Sequence, residues 1–423
     1  MTTDLQKGIS ADRHVLGNGT VVISKEARTV PAVTIHVGVR AGSIYDSNAL
    51  LGLSHLTSRV LDRGTREKSS EQIAEALDER GVSLSVGANR HVMSVNCTCL
   101  AEDFEAMLEL VGEILMQPAF PEEEIVKRKG EVANAIRQDE DSPAAMAMLT
   151  LFGMLYPQPH PYGRPAKGTL ESVARIGRSD LVEFHDARFA PAATTVIIVG
   201  DVDRQRAVAA GERVFGGWRK SVAGDVTLAR VPSDRPRQER VIPMMNKAQA
   251  DIAYGFTTIV RSDPRYYAYT LMNNALGQYG IGGRLGDSIR ERQGMAYYVF
   301  SSFDANVVEG PLVVRAGVNP SNVDRAVKSI DEEMTRLTKE GLTPEELADC
   351  KQYLIGSIPR LLETNGAIAT FLQTAEFFGL GLDHDVRLPA LLDAVTLDDV
   401  NAAARHTLDT TRASLVVAGP YQK

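Results

Sequence analysis

Three residues of this chain have the type and setting to do chemistry: His55, Arg290 and Tyr297. His55 lies in Gly52-Leu53-Ser54-His55-Leu56-Thr57-Ser58-Arg59. A single imidazole can act as a base or contribute to a metal site, but it cannot hold zinc alone, because such sites take three or four protein ligands. The remaining histidines (14, 36, 91, 160, 185, 384 and 406) show no paired ligand spacing. Arg290 and Tyr297 stand seven residues apart in Ile289-Arg290-Glu291-Arg292-Gln293-Gly294-Met295-Ala296-Tyr297-Tyr298. An arginine at a helix end can donate to a peptide carbonyl through its fork. A tyrosine hydroxyl can donate to the oxyanion formed when such a carbonyl is attacked. Residue type alone favours a plainer use, with Arg290 paired to a nearby acid and Tyr297 packed. The choice of Tyr297 over Tyr298 rests on spacing.

The elements that must position these groups come from a duplication. Ser179-Asp180-Leu181 leads to Val196-Ile197-Ile198-Val199-Gly200, and Asp398-Asp399-Val400 leads to Leu415-Val416-Val417-Ala418-Gly419 with the same interval. Leu77 to Gly81 and Ile289 to Gly294 each precede a β-rich run. The division expected is an N-terminal domain over 1–218, a Gly/Pro-containing linker over 219–238 and a C-terminal domain over 239–423. Strand patterns at Val21–Ser24, Val33–Val37, Val82–Val86 and Met93–Leu100 alternate with helical runs at Asp103–Met116 and Glu122–Arg137. This mixture predicts an α+β class, each domain an antiparallel sheet covered by helices. Thr343-Pro344-Glu345-Glu346 has the form of a helix start with a capping box. Gly294 is expected to stop its helix in a left-handed conformation, sending Tyr297 into a strand.

The chain has 423 residues, too long for one core, and a net charge of −8. That charge argues against a nucleic-acid or anionic-membrane partner. No run is long and apolar enough to span a membrane, the polar N-terminus lacks a secretory pattern, and a cytoplasmic setting is expected. Three cysteines do not make a disulfide framework; Cys97 and Cys99 read as buried thiols on one strand face. Gly280-x-Gly282 with Gly286 lacks dinucleotide spacing and is not followed by Gly-Lys-Ser/Thr.

Two stretches carry a family resemblance. Ala41-Gly42-Ser43-Ile44-Tyr45-Asp46, Gly52-Leu53-Ser54-His55 and Gly64-Thr65 resemble the N-terminal domain of the insulinase, pitrilysin and mitochondrial processing peptidase family. Leu276 to Leu285 with Ile289 to Ser301 resemble its C-terminal-domain signature. The first resemblance implies an inverted zinc motif, His-x-x-Glu-His, followed by a distant glutamate. His55 then takes the first ligand position, Ser58 that of the general base and Arg59 that of the second ligand. Ala135 falls at the distant ligand, and Arg128 at a second glutamate position two turns earlier. No metal is expected in this chain, since guanidinium groups repel a dication. The second resemblance implies that Arg290 and Tyr297 reach a substrate held at a zinc site. It also implies that zinc resides in a homologous partner subunit, giving a heterodimeric peptidase acting on peptides. A scaffold or peptide-binding subunit derived from the same family is the alternative.

Overall fold

A computed structural model describes residues 8–231, 235–278 and 282–422. Tyr279, Gly280 and Ile281 of the glycine-rich run lie outside the described residues. Contacts divide the chain into two compact units. One comprises the described parts of Met1–Ile136, Pro165–Val226 and Ile358–Val386; the other comprises those of Arg137–Arg164, Thr227–Ser357 and Arg387–Lys423. Each unit therefore includes a segment from the opposite half of the repeat.

The first unit is built on β1 (Asp12–Val15), β2 (Val21–Glu26), β3 (Ala32–Val39), β4 (Ser83–Ala88), β5 (Met93–Leu100) and β6 (Thr194–Gly200), in the order β1-β2-β6-β3-β5-β4. The sheet is antiparallel except where β2 meets β6. A parallel neighbour needs a long crossover, and the helices between β5 and β6 supply it. Alternation along β3 explains its two faces. Val33, Ile35, Val37 and Val39 enter a core with Leu56, Phe104 and Val111, each burial contributing roughly 1.5–3 kcal/mol. On the opposite face, Thr34 meets Thr98 at 3.1 Å and His36 meets Asn96 at 2.6 Å. These polar cross-strand pairs hold the β3–β5 register. Cys97 and Cys99 are free thiols buried in the same core as Val33.

The helix Asn365–Phe377 lies across β3 and β6, on the sheet face away from that core. Its Ala369 and Leu372 pack with Ile23, Ile197 and Val199. Gly38 makes this seat possible, since a Cβ there would stand 2.2 Å from the Gln373 side chain.

The second unit repeats the plan with β7 (Gln238–Pro243), β8 (Ala250–Thr257), β9 (Ala296–Phe303), β10 (Pro311–Val318) and β11 (Ser414–Gly419), ordered β7-β11-β8-β10-β9. Its parallel pair is β7 with β11. Ile252, Tyr254 and Phe256 face a core that includes Tyr269, Ile330 and Leu337. The helix Pro143–Leu155 covers β8 and β11. Gly255 provides its seat: a Cβ there would lie 3.0 Å from Leu151 and 3.1 Å from Leu155. Gly38 pairs with Thr195 of β6 and Gly255 with Ser414 of β11, so the two borrowed helices sit at corresponding places. The capping box forms as its sequence predicts: the Thr343 N–H donates to Glu346 at 2.8 Å and the Glu346 N–H to the Thr343 hydroxyl at 3.2 Å.

Candidate functional site

In the first unit, the helix Leu53–Val60 is fixed at its start by the buried Asp46 carboxylate. The Gly52 and Ser54 N–H groups donate to it at 3.0 and 2.9 Å, and the Ser54 hydroxyl donates at 3.2 Å. Gly52 holds φ +88°, and a Cβ there would stand 2.4 Å from the Lys167 carbonyl oxygen. The helix leaves His55 partly buried and Ser58 buried. The Ser58 hydroxyl donates to the His55 carbonyl at 2.7 Å, so it serves the helix backbone.

Arg59 and Arg128 converge on a residue that spacing did not single out, Glu131. Arg59 donates to one of its carboxylate oxygens at 3.3 Å and Arg128 to the other at 2.6 Å. Arg128 also contacts Glu124 at 3.1 Å, with its side chain only 12% exposed. The Arg128 hydrogen bond is the main reason the Glu131 carboxyl is held below its ordinary range, with Arg59 adding to it. Nearby, burial pushes the Asp62 carboxyl up, against the pull of Arg63, Arg128 and Arg59. Ala135, one helical turn beyond Glu131, offers no donor. Among the described residues, no three His, Cys, Asp or Glu side chains are gathered to hold a metal ion. One imidazole, a hydroxyl engaged with backbone, two guanidinium groups and a methyl do not fit zinc. The signal for Glu131 was available in helix periodicity, since it follows Arg128 by three and precedes Ala135 by four.

The Arg/Tyr element of the second unit has its own supports. Arg284 grips Glu346 with two bonds of 2.7 and 2.6 Å and donates to the Gly341 carbonyl at 2.7 Å. Beyond it, Gly286–Arg292 winds as a π-helix, and Asn274–Gln278 winds the same way before the glycine-rich run. An ordinary α-helix was the expectation for the Arg290 segment; π turns are rare and concentrate at functional sites. Gly294 takes φ +60°, with its N–H donating to the Arg290 carbonyl at 3.1 Å. The chain then enters β9, which stands at the edge of the sheet beside β10 among the described residues.

Alternation along β9 separates its two tyrosines. The Tyr298 hydroxyl donates to the buried Asp251 carboxylate. Burial first, then Asp251, drives that phenol's pKa upward. Tyr297 is 62% exposed, and its hydroxyl has no hydrogen-bond partner among the described residues. The Arg290 side chain is 45% exposed and among the described residues reaches only Glu291, at 3.8 Å. Tyr297 and, apart from its long pairing with Glu291, Arg290 face solvent, whereas Tyr298 is held by Asp251.

The fold and this arrangement define an α+β peptidase-like chain of two repeated domains. The insulinase domain model (peptidase family M16) matches residues 21–156, and the peptidase M16 inactive domain model matches residues 175–354. The chain belongs to the pitrilysin/insulinase family, M16. An uncharacterized zinc protease of Mycobacterium leprae is 27% identical over 420 residues, 97% of this chain and 92% of that protein. A Helicobacter pylori protein described as a non-peptidase homolog is 26% identical, with 90% of this chain and 87% of its own covered. The crystal structure of a peptidase M16 inactive domain from Pseudomonas fluorescens matches with TM-score 0.90 at 26% identity, covering 98% of this chain and 99% of that one.

Proposed function

We propose that this chain is the zinc-free subunit of a heterodimeric zinc endopeptidase of the cytoplasm. The observation that carries this reading is the contrast between its two sites. In the first unit, Arg59 and Arg128, which the sequence resemblance aligns with metal-motif positions, are tied to Glu131. In the second, Arg290 is exposed with only a long, solvent-exposed pairing to Glu291, and Tyr297 is exposed with no hydroxyl partner among the described residues. A homologous partner would supply the metal that activates the attacking water. Arg290 would donate to a substrate backbone carbonyl and orient the peptide. The Tyr297 hydroxyl would donate to the oxyanion that develops on the attacked carbonyl. Purified alone, the chain should hydrolyse no peptide; co-expressed with a zinc-motif relative, it should yield an active complex. Tyr297→Phe should lower turnover of that complex by about 10²–10³-fold, and Arg290→Ala should lower it strongly, with assembly unchanged. Full turnover by the double variant would remove both roles.

The Helicobacter homolog described as a non-peptidase favours a second reading, a scaffold or peptide-binding subunit. Peptide hydrolysis by the co-expressed pair separates the two. A complex that assembles, binds peptide and leaves it intact would support the second.

A further inference from the structure

A cleft in the second unit lies at the opposite edge of its sheet from Tyr297. Four strand spacings separate β7 from β9, about 19 Å across the sheet. Two adjoining recesses meet there and share Met154 and Arg235. The outer one, about 520 Å³, opens between the helix Pro143–Leu155 and β7 and takes Thr150, Gln238 and Arg240 into its wall. The inner one, about 30 Å³, is lined by Thr257, His406, Arg412 and Ser414 among others. The outer recess has the size of a small-molecule cleft; the inner has room for one small group.

Its charge runs against the composition of the chain. The protein carries 54 acidic against 46 basic residues, yet among the described residues no carboxylate lines either recess and three arginines do. Several other arginines of this unit are matched by carboxylates: Arg237 by Asp331, Arg265 by Asp263, Arg284 by Glu346 and Arg336 by Glu333. In the cleft, Arg412 is paired with Asp409 at 3.2 Å, but among the described residues Arg235 donates only to the Met154 carbonyl, at 3.0 Å. Arg240 has no ion-pair or hydrogen-bond partner among the described residues. Leaving two guanidinium groups without a carboxylate beside hydroxyl and amide donors gives a wall rich in donors. Guanidinium forks match the paired oxygens of phosphate and carboxylate.

We propose that this cleft binds a small multivalent oxyanion, a phosphate ester or a polycarboxylate, through Arg235 and Arg240. The site uses neither Arg290 nor Tyr297 and stands independently of the peptidase reading. Calorimetric titration of the full chain with pyrophosphate and, separately, with citrate tests it at fixed ionic strength. At least one anion should bind at a single site, and the tighter of the two identifies the source chemistry. Arg240→Glu should weaken that binding by about tenfold or more, and Arg235→Gln should weaken it too. Arg325→Glu, on the exposed face of the helix Val323–Glu340, should change it by less than about twofold. Circular dichroism of each variant verifies folding. The proposal is overturned if neither anion binds at millimolar concentration. It is equally overturned if folded Arg240→Glu and Arg235→Gln bind like the parent, or if Arg325→Glu weakens binding as much as they do.

Discussion

Adjacent tyrosines on β9 differ in what holds them: Tyr298 is tied to a buried carboxylate, and Tyr297 faces solvent. Tyr298 donates to Asp251, a carboxylate only 4% exposed whose other side-chain donor among the described residues is Gln249, at 3.2 and 3.3 Å. Removing the phenol oxygen leaves a buried charge short of a donor, so Tyr298→Phe should cost about 1–3 kcal/mol in urea unfolding. Tyr297→Phe should change stability by less than about 0.5 kcal/mol, confining its effect to turnover of the assembled complex. Equal destabilisation by both would contradict the division. Glu131 yields a second expectation. Its carboxyl pKa is depressed in the folded state, so its stabilisation is present above the usual carboxylate pKa of about 4.3. That contribution disappears as pH falls through the folded value. With the side chain 39% exposed, it amounts to about 0.5–1 kcal/mol at most. Glu131→Gln should therefore lower the melting temperature at neutral pH and make its decline in acid shallower. A parallel shift at every pH would rule this out.

At the scale of elements, each sheet depends on a helix that its own half of the repeat does not encode. The helix Asn365–Phe377 covers Ile23, Ile197 and Val199 in the first unit. A fragment ending at Val226 would leave that apolar layer in water and forfeit the burial energy of several fully covered side chains. Such a fragment should bind a hydrophobic dye and show no cooperative melting, whereas the full chain should melt cooperatively; a fragment with a sharp transition would refute the dependence. Local rules explain how each element begins and ends. Asp46 fixes the His55 helix, Glu346 both closes a capping box and grips Arg284, and Gly294 turns the π-helical segment into β9. The same elements thus hold the site residues that they present.

At the scale of the molecule, the chain is a family member in which, among the described residues, no three His, Cys, Asp or Glu side chains gather to hold a metal ion. The isolated protein should retain no stoichiometric zinc after dialysis, measured by elemental analysis, and should leave oligopeptides intact. Tight zinc together with hydrolysis by the chain alone would defeat the division of labour proposed above. No helix among the described residues is long and apolar enough to cross a membrane.

Sequence by itself determined the features governed by short spacing. Two-residue alternation marked β3 and β5, helical periodicity marked Glu122–Arg137 within the observed helix Glu122–Glu140, and Thr343 with Glu346 marked a helix start. Gly294 before Tyr297 foretold a left-handed turn into a strand, and the repeat foretold two sheets of similar plan. Tertiary structure alone decided the parallel insertion of β6 beside β2 and of β11 beside β7, which turns each antiparallel sheet into a mixed one. It also decided the borrowed helices, the meeting of Arg59 with Glu131, and which β9 tyrosine stays free. The reason is physical. Periodicity and caps are set by neighbours within a few residues, whereas these outcomes depend on groups distant in sequence whose packing and charge pairing are settled only when the sheets close.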